Sequence, residues 1–214
     1  MHEVQLHHFA DASKDAFGCV SYARFVSVAG EVHCTFLLGK SRLAPLKTMT
    51  IPRLELSAAV VAARVDLMLR KQIGLGVSGS TFWTDSVLVL QYIRNETKRF
   101  HTFVANRVAV IHDVSVPEQW RYVGTAVNPA DDASRGLDAS QMVSSDRWRK
   151  GPEFLWKSEE EWPVMPEVPN LDKDKEVKSE ATSQAVDAEE KVDTISELVH
   201  RYSSWLPLLS LIHI

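Results

Sequence analysis

Three consecutive strand-like runs at the start of the chain, followed by a long apolar stripe at helical spacing, constrain the fold more than any other feature. Val4 to Asp11 alternates apolar and polar residues, and Phe17 to Val28 and Glu31 to Lys40 read as two further strands joined at Ala29-Gly30. A meander of three antiparallel strands is therefore predicted. Thr50 can cap a helix with Pro52 near its start, and Leu54, Ala58, Val61, Val65 and Met68 then recur at helical spacing until Gly74 ends it. A second stripe, Leu56, Val60, Ala63 and Leu67, predicts burial on more than one side. Thr81 to Thr84 reads as a strand, Ser86 to Ile93 and Arg99 to Ile111 as helices, and Gln119 to Val123 as a final strand. Asn128 then caps a helix with Pro129 at its first position and an acid at its third. The order βββαβααβα belongs to the α/β class with a mixed sheet.

Four acidic contexts are distributed over this pattern. Asp11 lies in Phe9-Ala-Asp-Ala-Ser13, Glu55 in Ile51-Pro-Arg-Leu-Glu-Leu56, Asp85 in Phe82-Trp-Thr-Asp-Ser86, and Asp131-Asp132 in Asn128-Pro-Ala-Asp-Asp-Ala-Ser-Arg-Gly136. Two follow apolar runs and two sit in the first turns of predicted helices. If the strands of Asp11 and Asp85 are neighbours, both carboxylates emerge at the same end of the sheet, and Glu55 can point back toward them. Like charges within about 4–6 Å raise one another's pKa, and a metal ion removes that repulsion. Hard oxygen ligands without His or Cys favour Mg²⁺ or Mn²⁺, and two such ions about 3.5–4 Å apart can activate water and stabilise the leaving oxygen in phosphodiester cleavage. Each acid alone has a plainer reading, as a turn residue after a strand or a complement to a helix dipole. The functional reading rests on their joint placement, and Asp15, Asp66 and Asp113 are expected to be ordinary carboxylates.

Composition narrows the setting. The formal charge is −4, but residues 171–197 hold nine acids against four bases, so an acidic tail follows a nearly neutral body. No apolar run approaches the roughly 18–20 residues of a membrane span, and the N-terminus lacks a basic segment followed by an apolar one. A soluble protein without a secretory signal is expected. Cys19 and Cys34 lie in separate strand-like runs and are expected to be buried free thiols. The expected organisation is a main domain over 1–137 and an aromatic-rich extension over 138–163 folded back on it. A flexible acidic linker over 164–193 and the start of a further segment over 194–208 then follow. Both ends read as cut from something larger. Leu209 to Ile214 is also what CTGTCTCTTATACACATC encodes, which resembles a sequencing-library adapter, so these six residues are expected to be an artefact.

The four acidic contexts, with Lys40-Ser-Arg-Leu-Ala-Pro45, Arg99-Phe-His-Thr-Phe-Val-Ala-Asn-Arg107 and the Gly151-Pro and Trp162-Pro pairs, resemble the ribonuclease H domain of BEL/Pao-type LTR retrotransposon polyproteins. The resemblance runs from about residue 4 to 163. It implies a ribonuclease H-like fold, a mixed five-stranded sheet in the order 3-2-1-4-5 with helices on both faces. It implies a metal site of Asp11, Glu55, Asp85 and Asp131 for two Mg²⁺ ions, with Mn²⁺ able to substitute and Asp132 the second choice for the last ligand. Cellular relatives also use a His shortly before that last Asp, and residues 123–129 contain none. The implied activity is cleavage of the RNA strand of RNA·DNA hybrids during reverse transcription. Lys40, Arg42, Lys47, Arg94, Lys98, Arg99 and Arg107 are the candidates for gripping phosphates, while Trp83 is expected in the core. Reverse transcriptase and integrase portions of the same polyprotein are the implied partners, and cytoplasmic virus-like particles the implied location. The alternative is a catalytically silent or domesticated fragment that connects domains or only binds nucleic acid. The family region also carries the label of a peptidase, but Asp85-Ser86 is followed by Val87 and Asp11 by Ala12, so the Asp-Thr/Ser-Gly signature of aspartic peptidases is missing.

Overall fold

The first strand is the axis of the sheet. β1 (Glu3–Ala12) pairs antiparallel with β2 (Ala16–Val26), which pairs antiparallel with β3 (Val32–Leu43). On its other side β1 runs parallel to β4 (Gly79–Thr84), and β4 runs parallel to β5 (Trp120–Tyr122). The computed structural model describes residues 3–166, Leu171 and 174–178. Its five strands form one mixed sheet in the order β3-β2-β1-β4-β5, as the resemblance implied.

Alternation along β1 gives each face of the sheet its own cover. Leu6 and Ala10 join a core with α1 (Ile51–Gln72), α2 (Val87–Arg94) and α3 (Thr102–His112). Ala58, Ala59, Ala62 and Ala63 of α1 are all fully buried. These small side chains let the helix lie close to the sheet while α3 packs against it, which is why both apolar stripes are used. Phe9 points to the opposite face, where Val20, Tyr22 and Trp83 meet Ala130, Leu155 and Trp162. That face is covered by α4 (Ala130–Arg135) and α6 (Asp146–Lys150), with α5 (Ala139–Ser144) between them and single helical turns over 153–156 and 159–161. Trp162 stands edge-on to Trp83 with ring centroids 5.5 Å apart, and Arg24 Nε donates to the Leu155 carbonyl at 2.8 Å. Trp83 is core, fully buried. Both cysteines are free and buried, and burial pushes each thiol up to about 12.

Three local expectations shift for identifiable reasons. α4 starts at Ala130 with Pro129 in the capping position, one residue later than predicted. Asn128 still serves the helix end, because its Oδ1 accepts from the Ala130 N–H at 3.1 Å while its Nδ2 donates to the Ala10 carbonyl at 3.2 Å. α3 starts at Thr102 rather than Arg99, since Phe100 pairs with Val177 and the Arg99 carbonyl accepts from the Lys178 N–H at 2.7 Å. Residues 174–178, placed by composition in a linker, thus pack on the chain ahead of α3. The described residues belong to one compact unit, Met1–Lys178. Residues 167–170, 172–173 and 179–193 of the stretch expected as linker, the segment over 194–208 and residues 209–214 lie outside the described residues. Among the described residues no helix is long and apolar enough to cross a membrane.

Asp66 is the clearest departure from expectation. It was read as an ordinary carboxylate, yet it is only 3 % exposed and joins α1 to the sheet. His8 Nε2 lies 3.0 Å from Asp66 Oδ1, and His8 Nδ1 lies 2.8 Å from the Ser21 hydroxyl of β2. Ser80 of β4 donates to the same carboxylate, and Arg70 Nε closes the group at 3.0 Å. Burial alone would raise the pKa of Asp66, but the hydrogen bonds and charge of His8, Ser80 and Arg70 hold it below the ordinary value. Removing it would leave buried His8 and Ser80 short of a partner and Arg70 without its ion pair. Asp66→Ala is expected to lower stability in urea by about 2–4 kcal/mol, against roughly 0.5 kcal/mol or less for exposed Asp15→Ala or Asp113→Ala.

Candidate active site

Strand register brings two of the acids together. Ala10 lies opposite Thr84 across the parallel β1–β4 pair, so the next residues, Asp11 near the end of β1 and Asp85 just after β4, stand side by side. Glu55 is in the second turn of α1, the helix that packs across β1 and β2, and Asp131 is in the first turn of α4. Asp11 is buried, whereas Glu55, Asp85 and Asp131 are half-buried.

Each carboxylate is held by a neighbour. The Ser134 hydroxyl of α4 donates to Asp11 Oδ2 at 2.7 Å, and the Thr125 hydroxyl donates to Asp85 Oδ2 at 2.7 Å. Ser86 caps α2 by accepting from the Val89 N–H at 3.3 Å and also bonds the Glu55 carboxylate. Arg135 Nε donates to Asp131 Oδ1 at 2.5 Å, one helical turn away. The acids also act on one another. Burial pushes Asp11 up to about 6, with repulsion from Asp85 and Asp131 adding to it and the Ser134 bond opposing it. Glu55 is raised by burial first, then by Asp85 and Asp11, against the bond from Ser86.

The Asp131-Asp132 pair divides between two sides of α4. Asp131 repels Asp11, whereas Asp132 pairs with Arg147 Nη2 at 2.6 Å and acts on the buried Tyr22 hydroxyl. Among the described residues, no three His, Cys, Asp or Glu side chains are drawn into a closed metal-holding group. Asp85 Oδ1 is nevertheless buried and accepts no hydrogen bond. An oxygen-only donor set with a bare, buried carboxylate oxygen fits a hard divalent cation.

The candidate cations separate in the same way. A cavity of about 360 Å³ between the end of β3, α1 and α3 is lined by Lys40, Arg42, Arg64 and Arg107, with Ser57 and Asn106 among its polar walls. Arg107 stacks on Phe103 at 3.4 Å from the ring centroid and donates to the Ser57 hydroxyl at 3.2 Å. Burial and the charges of Arg53 and Arg64 lower its pKa. Lys47 is exposed in the β3–α1 connection, Lys98 belongs to a turn closed by Asn95, and Arg99 lies exposed ahead of α3. Arg94 instead ties α2 to β5, donating to the Trp120 carbonyl at 2.8 Å and contacting the Met165 sulfur. Sequence reasoning missed Arg64 and Arg135. The signals were helical spacing: Arg64 follows Ser57 by two turns, and Arg135 follows Asp131 by one.

Residues 1–86 match the family model of the Pao retrotransposon-like RNaseH-like domain. The match spans Asp11, Glu55 and Asp85 and stops short of Asp131. Solved structures similar to the chain include the N-terminal RNase H domain of a Mycobacterium tuberculosis protein, 16% identical, covering 66% of this chain and 100% of that one at a TM-score of 0.40. RNase H1 from Halobacterium salinarum is 13% identical, with 61% and 96% covered at a TM-score of 0.39. LC11-RNase H1, isolated from compost and solved in complex with an RNA/DNA hybrid, is 13% identical, with 64% and 99% covered at a TM-score of 0.41. Comparison with curated proteins gives no match.

The raised pKa of Asp11 has a definite sign. A carboxyl whose folded pKa lies above its unfolded value costs stability as the pH rises from about 4 through about 6. In metal-free buffer Asp11→Asn is therefore expected to raise Tm by roughly 2–4 °C at pH 7, with the gain shrinking toward pH 4. A gain of equal size at both pH values would contradict a carboxyl raised by burial and by the charges of Asp85 and Asp131.

Proposed function

We propose that this RNase H-like domain is a metal-dependent endoribonuclease that cleaves the RNA strand of RNA·DNA hybrids during retrotransposon reverse transcription. The observation that carries the reading is the convergence of acids at one end of the sheet: strand register sets Asp11 beside Asp85, Asp11 also feels the charge of Asp131, and Glu55 feels those of Asp85 and Asp11. The family match over residues 1–86 supports the first three of these residues. Asp131 rests on its side of α4 alone. Reverse transcriptase and integrase portions of one polyprotein are the proposed partners.

Asp11, Glu55, Asp85 and Asp131 would hold Mg²⁺ or Mn²⁺, which when bound supplies a Lewis acid and lowers the pKa of attacking water. The residues of the chain do the rest. Ser134, Thr125 and Ser86 orient three carboxylates through their hydroxyls, so the oxygens facing the scissile phosphate are set before substrate arrives. Arg135 balances the charge of Asp131. Lys40, Arg42, Arg64 and Arg107 offer the strand backbone a basic cavity, and such phosphate contacts dominate affinity while leaving sequence unread. A-form geometry and 2′-OH groups are then what distinguish a hybrid from DNA.

A second reading, a silent fragment that binds hybrids without turnover, draws on the tight pairing of Asp131 with Arg135 and the lack of a closed metal-holding group among the described residues. Cleavage of a labelled hybrid by the full chain, with and without Mg²⁺ or Mn²⁺, separates the two. Under the proposed reading Asp11→Asn and Asp85→Asn abolish cleavage, and undiminished activity in both would sink the site assignment. Asp131→Asn should cost roughly a hundredfold or more as a ligand, and Asp132→Asn less than about tenfold as its neighbour. Arg42→Ala and Arg107→Ala should each weaken hybrid binding across sequences and reduce the salt slope by about one.

A further inference from the structure

Arg53 lies between the two halves of the proposed site. It sits two residues before Glu55 in α1, and its guanidinium is 4.8 Å from the Phe103 ring on which Arg107 stacks at 3.4 Å. Arg107 in turn lines the basic cavity. In this structure Arg53 is taken by a carboxylate of the same chain. Its Nε donates to Glu176 Oε1 at 2.6 Å and its Nη2 to Glu176 Oε2 at 3.1 Å.

Residues 174–178 form the strap that delivers this carboxylate. The His101 N–H donates to the Glu176 carbonyl at 2.8 Å, and the Lys178 N–H donates to the Arg99 carbonyl at 2.7 Å. Asp174 Oδ1 accepts from the Tyr92 hydroxyl at 3.0 Å and from the Glu176 N–H at 2.7 Å. Backbone bonds, Asp174 and the Arg53–Glu176 pair hold this short strap together, so loss of the pair loosens its amides as well, and Glu176 is the charge in it aimed at a cation. The two-point fork that an arginine offers a carboxylate is the same one it offers a phosphate.

We infer that Arg53 is a phosphate-contacting residue of the hybrid surface, and that Glu176 occupies it in the free chain as an internal stand-in for a phosphate. The inference rests on the proposed hybrid-cleaving function. Arg53 remains 37% exposed at its side chain, so its ion pair is of the solvent-screened kind that holds weakly. A polyanion that releases counterions on binding competes with such a pair effectively. The strap thereby sets a threshold: short or weakly held strands meet Glu176 in place, while a hybrid spanning the carboxylates and the basic cavity displaces it.

The test is hybrid affinity by fluorescence anisotropy in metal-free buffer, using the full chain. Glu176→Gln should bind roughly three- to fivefold more tightly at low salt, with the gain fading as salt rises. Arg53→Ala should bind more weakly and erase the gain from Glu176→Gln in the double variant. Hydrogen exchange on the unaltered chain supplies a readout that does not depend on a variant folding. The His101 and Lys178 amides should exchange faster when hybrid is bound. Equal affinity of Glu176→Gln and the unaltered chain, or strap amides as protected with hybrid as without it, overturns the inference and leaves the proposed function standing. No hybrid binding by any of these proteins refutes the proposed function and this inference together.

Discussion

Parallel pairing of β1 with β4 fixes how near Asp11 comes to Asp85, and the repulsion between them is the constraint to which the surrounding elements answer. A hydroxyl from α4 meets Asp11, a hydroxyl from the turn after β5 meets Asp85, and the residue capping α2 meets Glu55. None of these donors offsets burial and that repulsion together, since Asp11 remains pushed up to about 6. They orient the carboxylates. A fold that spends stability on an oriented, repulsive cluster is the usual compromise between a rigid scaffold and a working site. Asn128 extends the arrangement by tying the start of α4 to the backbone of Ala10, so the helix bearing Asp131 is anchored one residue from Asp11.

Much of this was legible in the sequence because it is periodic or local. Strand alternation and helical stripes placed the elements in order, and an acid directly after an apolar run marked Asp11 and Asp85. The Asp131 side of α4 needed tertiary information, since nothing local separates two adjacent aspartates. Asp66 was misread because two of its partners, His8 and Ser80, come from β1 and β4, the first 58 residues earlier, and no spacing rule connects them. Composition misjudged residues 174–178 for a different reason. Their attachment to the chain ahead of α3 is made largely by backbone groups, which every sequence possesses. Arg94 carried the right charge but the wrong direction, spent on a carbonyl of β5.

Basic residues and acidic residues are also segregated in space more than along the chain. The carboxylates collect at the ends of β1 and β4, while Lys40, Arg42, Arg64 and Arg107 surround a cavity beside α1. α1 borders both, with Glu55 at its start and Arg64 two to three turns further on. Under the proposed function, one helix thus presents the reactive end and the gripping side at a fixed offset, which ties where a strand is held to where it is cut.

The polar pin at Asp66 gives that helix a further property. Eleven residues separate it from Glu55, about 16 Å along the axis at 1.5 Å per residue. α1 is thus fastened near its far end to His8 of β1 and Ser80 of β4. The pin therefore fixes where α1 sits on β1 and β4. Together with the buried alanines in between, it sets the position of Glu55 through residues that stand well away from that carboxylate.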